Sequence, residues 1–402
     1  MKKLLSLLLV LAMVLAMVGC ATAQAEEPEA SAEASVAEVE EEPVVEEDES
    51  EPEEEEVFDW SYINPLTGEA TEEDISNNRP IAIMLNNIKQ ALPQYGNSQA
   101  DVYYEVPEEG GITRIMALYQ DVTDVGAIGS IRSTRPYYVR LAVAADSILV
   151  HAGGSTAAYN VIKDYMYKYG LVDLDYLSKG TRTADIFYRD SGRLASGYAS
   201  EHTLFTTSDN IQTYLEEHSD EIRLEHKDDY EYVHYFTEDA TPANGDTAET
   251  IDVSFSGYKG TTFTYDSESG KYLVSEFGSS YVDGATGSQV GVENVVVIQT
   301  KIEALNDAKN HVAVYLTGTG SGYFACNGKY EKITWVKEKA KYTYQFYDED
   351  GNVVDLGVGK TYVCIVGTER DITVDGVVLE KPEDAEETED LADFEVTDDD
   401  ED

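Results

Sequence analysis

Pro80-Ile81-Ala82-Ile83-Met84-Leu85 is apolar throughout and is closed by Asn86-Asn87. A run this short, bounded by turn-forming residues, predicts a buried strand rather than a helix. Downstream, Val102-Tyr103-Tyr104-Glu105-Val106 and Ile115-Met116-Ala117-Leu118-Tyr119 predict two further strands. Pro-Glu-Glu-Gly-Gly at 107–111 makes the connection between them tight. The periodicity then turns helical. Pro136 to Ala145 predicts a helix with Ser133 or Thr134 as its cap and Pro136 in its first turn. Ser147 to His151 predicts a strand, and Thr156 to Tyr169 a second helix closed by Gly170. Strands alternating with helices point to an α/β or α+β domain.

The texture changes between Arg223 and Tyr230, where a polar run interrupts the pattern. Beyond it come short strands separated by turn residues. Phe263 to Tyr265 and Tyr272 to Val274 flank Asp266-Ser267-Glu268-Ser269-Gly270, and Tyr342 to Tyr347 and Val353 to Leu356 flank Asp348-Glu349-Asp350-Gly351-Asn352. Val295 to Ile298 and Val312 to Leu316 are expected core strands. The folded body is too long for one typical core. The expected fold is therefore α+β in two domains: an α/β-type sheet-and-helix domain over 59–228 and a mainly-β domain over 229–380. Twenty-nine tyrosines against ten phenylalanines suit strands with one wet face, and suit saccharide or peptide contact.

The two ends read differently. Met1-Lys2-Lys3, the apolar run Leu4 to Met17 and Met17-Val18-Gly19-Cys20 have the layout of a secretory signal peptide over 1–20. Cys20 resembles the lipobox cysteine of bacterial lipoproteins, which receives a diacylglycerol. That implies an anchor on the extracytoplasmic face of a Gram-positive-type cell membrane. Residues 26–56 hold 17 acidic and no basic residues, and 381–402 hold 13 acidic residues and one lysine. Both stretches, the linker at 21–58 and the tail at 381–402, are expected to be disordered. They carry much of the net charge of −51 and leave 49 acidic against 25 basic residues in the body. An acidic chain is a poor partner for nucleic acid, whose phosphates need clustered Lys and Arg.

Charge chemistry gathers between Glu105 and His151. Glu105, Glu108, Glu109, Gly110, Gly111, Thr113 and Arg114 form one group, and Ser130, Arg132, Ser133, Thr134 and Arg135 a second, just before a predicted helix. His151 and Gly153-Gly154-Ser155 close the set. Backbone N–H groups at a helix start and two guanidinium forks could cradle a carboxylate or phosphate. Equally, Arg132 and Arg135 could neutralise Glu105 and Glu109 internally. Glu109 with His151 would supply an acid/base pair, and Ser133 or Ser155 a nucleophile, yet no G-x-S-x-G or S-x-x-K signature surrounds either serine. The histidines lack metal-binding spacings, no cofactor motif is present, and Asp348 to Asn352 reads as a hairpin turn rather than a calcium loop. Cys326 and Cys364 could pair as a disulfide outside the cytoplasm or stay as buried thiols.

RPIAIMLNN, ADVYYEVPEEGGITRIMALYQ, IGSIRSTRPYYVRLA and VHAGGS together resemble the YerB-like family of lipoproteins, a family of unknown function. NVVVIQ, GSGYFACNGKYEKITWVK and FYDEDGNVVDLGVGKTYV are similar to its C-terminal domain. Tyr188-Arg189 and Glu201-His202 match a further stretch, without the proline usual before the histidine. The resemblance covers about 60 to 370 and implies two domains and a cell-surface location, not a reaction. The leading expectation is a non-catalytic module that binds an anionic envelope component or an envelope protein through Glu105, Glu109, Thr113, Arg114, Arg132, Ser133, Arg135, His151, Arg189 and His202. A wall-acting hydrolase or transferase using Glu109 and His151, and a scaffold acting through the β domain, are the alternatives.

Overall fold

The structure, a computed structural model, describes residues 62–177, 185–228, 230, 234–382 and 386–387. The segment 1–20 expected to be a signal peptide, the expected linker 21–58 and nearly all of the acidic stretch 381–402 lie outside the described residues. Residues 57–402 cluster as one unit, which holds every described element and thus its whole core.

The fold is α+β, with a mainly-β second part. Among the described residues all α-helices precede His218, and strands and turns make up the rest. Ile81–Asn87 lies between Thr113–Tyr119, antiparallel, and Ile148–His151, parallel. Val102–Pro107 returns antiparallel beside Thr113–Tyr119. The far side of Val102–Pro107 pairs in parallel with Thr361–Gly367. That strand in turn lies beside Asn294–Thr300, followed by Gly318–Cys326 and Lys329–Lys337. One mixed sheet thus runs through both parts of the chain.

Alternation along its strands divides the core in two. Ala82, Met84, Met116, Leu118 and Leu149 face the helices Pro136–Ala144 and Thr156–Tyr169 through Tyr138, Leu141, Val161 and Ile162. Ile83, Leu85, Tyr103, Ile115 and Tyr362 share the other core with Ile251, Val253, Phe263 and Val274 of a second, antiparallel sheet.

The second predicted helix has its expected bounds, with Gly170 at φ 67° ending it. The first starts from Arg135, which makes no side-chain cap, and not from Ser133 or Thr134. Ser133 Oγ instead donates to Ala152 O at 2.9 Å. Val312–Val314 pairs only with Ile302–Ala304, outside the large sheet. The acidic turn is a local structure: Asp348 Oδ1 accepts from the N–H groups of Asp350 (2.9 Å) and Asn352 (2.8 Å), and Tyr347 bridges Val353. Gly322 lets two strands close, since a Cβ there would lie 2.2 Å from Val297 O.

Cys326 and Cys364 are free thiols, so the expected alternative of a disulfide does not form. Cys326 pairs with Asn294 and Cys364 with Val297 on opposite edges of the same strand. Two strand spacings amount to ~9.5 Å, beyond the ~7 Å a bridge allows. The three-residue offset also turns the two side chains to opposite faces, into different cores.

Candidate functional site

The acidic residues of the 105–109 segment separate in space. Glu105 sits on the sheet face that meets the second sheet and is wholly buried. Its Oε1 accepts from Thr113 Oγ1 (2.6 Å) and Asn87 Nδ2 (3.0 Å). Its Oε2 accepts from Thr261 Oγ1 (2.7 Å) and Tyr362 OH (2.9 Å). Lys259 Nζ lies 2.6 Å from Oε1, and the same ammonium pairs with Glu276. All three charged side chains have no exposure to solvent. Burial works against the Lys259 charge, but the two carboxylates outweigh it and raise its pKa. Burial, and then the neighbouring Glu105, push Glu276 up to about 7. Glu105 and Thr113 therefore belong to a latch between the sheets. Lys259 and Glu276 escape sequence reasoning, because no local motif ties them to a residue some 150 positions earlier.

Glu108 turns the other way and receives two arginines. Arg114 Nη1 is 2.5 Å and Arg135 Nη2 3.4 Å from its Oε2. Arg135 also forks onto Glu109, donating from Nε to Oε2 at 3.2 Å and from Nη2 to Oε1. Arg114 donates to Ser133 O at 2.8 Å. Burial raises the Glu108 pKa in spite of both guanidiniums. It acts the same way on Glu109, but there the Arg135 hydrogen bond and charge win and the pKa is lowered. Tyr137 OH donates to Pro107 O (3.0 Å) and Tyr138 OH to Arg114 O (2.8 Å), pinning the helix start to the Gly110-Gly111 loop. The neutralisation expected of Arg132 and Arg135 is thus rearranged: Arg135 takes Glu109 and Glu108, and Glu105 takes Lys259.

Arg132 remains at the rim. Its side chain is 31% exposed and makes a 3.6 Å ion pair with Glu201. Burial and the neighbouring Arg114 lower its pKa. His202 lies beside it, its Nδ1 2.9 Å from Asn86 Nδ2. Burial lowers the His202 pKa. Arg189 donates to Ser200 O, one residue before Glu201, and stacks 5.2 Å from the Tyr176 ring centroid.

His151 is fully buried and faces carboxylates other than Glu109. Its Nε2 lies 2.6 Å from Asp173 Oδ1 and its Nδ1 2.8 Å from Gly153 O. Asp175 accepts from Gly153 N (2.7 Å), Leu177 N (3.0 Å) and Tyr159 OH (2.9 Å). Burial opposes protonation of His151, but Asp173 outweighs it and the pKa is raised. Among the described residues, His151 and Glu109 share no hydrogen bond or ion pair, so the structure does not join them as an acid/base pair. Ser155 Oγ accepts from Ala158 N at 3.1 Å and caps its helix. Among the described residues neither serine shares a hydrogen bond with the imidazole.

Residues 66–221 match the N-terminal domain, and 251–363 the C-terminal domain, of a family described as protein of unknown function DUF3048. The chain belongs to the DUF3048 family. The arginine cluster and His151 fall in the N-terminal DUF3048 domain, and Lys259 and Glu276 in the C-terminal one. A Bacillus subtilis (strain 168) relative named "Putative lipoprotein YerB" is 27% identical over 303 residues, which are 75% of this chain and 85% of the relative. The crystal structure of YerB protein from Bacillus subtilis matches with a TM-score of 0.64 and 24% identity, covering 77% of this chain and 99% of that one. This structural likeness shows a shared fold.

Proposed function

We propose that this DUF3048 chain is a lipoprotein held at the outer face of the cell membrane by a diacylglycerol on Cys20, and that it is a non-catalytic module binding an anionic envelope component. The Met17-Val18-Gly19-Cys20 pattern and the name of the Bacillus subtilis relative support the anchor. Among the described residues no helix is long and apolar enough to cross a membrane. A diacylglycerol supplies the two chains that stable attachment needs.

One observation carries the binding role. Arg114 and Arg135 are neutralised from within, whereas Arg132 stands one-third exposed and, among the described residues, makes one long ion pair, to a half-exposed Glu201. A ligand carboxylate or phosphate can displace that contact without leaving a buried charge unpaired. The occupied hydroxyls of Ser133 and Ser155, and the separate partners of Glu109 and His151, favour binding over catalysis.

The test is co-sedimentation of residues 57–402 with purified cell wall, with mass spectrometry of the supernatant. Arg132→Ala should reduce pelleting while leaving the fold intact. Undiminished pelleting of folded Arg132→Ala would refute the binding role. Wall fragments released by the protein and absent with Glu109→Gln would make it an enzyme instead.

A further inference from the structure

A second site lies over the sheet of the C-terminal part, apart from the arginine cluster, with Lys89 of the N-terminal domain at its edge. A cleft of about 660 Å³ opens over the second sheet, lined by Asp252, Ser254, Tyr258, Thr262, Phe277 and Asp371 among others. Its floor comes from the strand register. Asp252 stands opposite Thr262 on one side and Thr373 on the other, so three polar side chains form a row across three strands. Ser254 opposite Gly260 forms the next row, its N–H donating to Asp371 O at 3.1 Å. The alternate residues Ile251, Val253, Phe263, Ile372 and Val374 are buried, so the cleft floor is the wet face of a half-buried sheet.

Two aromatic residues, Tyr258 and Phe277, also line the cleft. Tyr258 is 55% exposed at the tip of a turn, and its ring centroid lies 6.0 Å from that of Phe277. Phe277 and Gly278 are the two-residue loop between Lys271–Glu276 and Ser279–Ser280, at φ 53° and 73°. Asn-Gly fills such a loop without strain, whereas a phenylalanine in the left-handed region is strained. Strain of this kind persists where the side chain is needed in place. The Phe277 ring lies 5.3 Å from buried Lys259 Nζ and also lines the cleft.

We infer that this cleft binds an uncharged saccharide chain. Aromatic rings offer flat apolar surfaces for the C–H faces of sugar rings, and a floor of carboxylate and hydroxyl groups suits sugar hydroxyls. The charge balance selects against polyanions. Asp252, Asp371 and Lys89 all line the cleft, and Lys381 is 2.8 Å from Asp371. The cleft therefore has no cationic excess to hold phosphate or carboxylate, the groups suited to Arg132.

The experiment titrates residues 57–402 with a β-1,4-linked N-acetylglucosamine tetramer and with maltotetraose, using tetralysine and polyphosphate as contrasts. At least one neutral tetramer should bind. Tyr258→Ala should weaken it about tenfold or more, while Arg132→Ala leaves it unchanged. Phe277→Asn suits the left-handed turn and should weaken binding in a protein that still unfolds cooperatively. Binding of neither tetramer, binding of tetralysine or polyphosphate in their place, or full affinity in folded Tyr258→Ala and Phe277→Asn overturns the assignment. Because the Arg132 variant is read separately, this outcome does not depend on the anion-binding proposal.

Discussion

Lys259 Nζ lies 2.6 Å from Glu105 Oε1 with neither side chain exposed, joining the two DUF3048 domains through one buried charge contact. Glu276 shares the ammonium, so two carboxylates depend on a single cation.

Removing that cation leaves both carboxylates buried without a counter-charge. Lys259→Met should destabilise the body by about 3–5 kcal/mol at neutral pH. Adding Glu105→Gln and Glu276→Gln should recover part of the loss, because the remaining groups are neutral. Urea denaturation of the three proteins checks the order.

The same latch sets a pH dependence. Glu276 is pushed up to about 7 from an ordinary 4.5, so it binds its proton more tightly in the folded chain than in the unfolded one. Its contribution to stability is therefore present at acid pH and lost as pH rises from about 4.5 towards 7. Relative to Glu276→Gln, the natural protein should lose stability between pH 5 and pH 8. Parallel curves for the two proteins in urea melts across that range would remove Glu276 as the cause.

Arg132 and Arg135 should separate in stability. Arg135→Ala strands Glu109 and leaves buried Glu108 with Arg114 alone, and a loss on the order of 3 kcal/mol is expected. Arg132→Ala removes a partly exposed contact and should stay within about 0.5 kcal/mol. Thermal unfolding of both variants distinguishes them and shows which arginine can be replaced to test binding.

Both cysteines of the body should resist alkylation until the fold opens. Burial pushes the Cys326 thiol up to about 12 and raises Cys364 as well. Intact-mass analysis without reductant should show two modified thiols after denaturation and none before. A mass two hydrogens lower, unmodified even when unfolded, would indicate a bridge.

Local period made much of the fold legible. The apolar run at Ile81, the alternation near Val102 and Ile115, and the Thr156-to-Gly170 helix all appear where their residues place them. Period does not encode a distant partner, so the parallel pairing of Val102 with Thr361 was not readable. The site divides in the same way. Arg114, Arg132, Ser133, Arg135 and Glu109 gather because a tight loop and a helix start bring them together. Glu105 left that group because pleating turned it to the opposite face, and His151 found Asp173 and Asp175 on a strand that no motif marks.

Thr361–Gly367 fills the seam between Val102–Pro107 and Asn294–Thr300, although it follows both of them in the chain. During synthesis the Val102–Pro107 edge therefore waits, open to any passing strand, for a segment more than 250 residues behind it. Closure of this sheet therefore hangs on a distant segment: a product cut short before Thr361 lacks the strand that covers the Val102–Pro107 edge in the folded body.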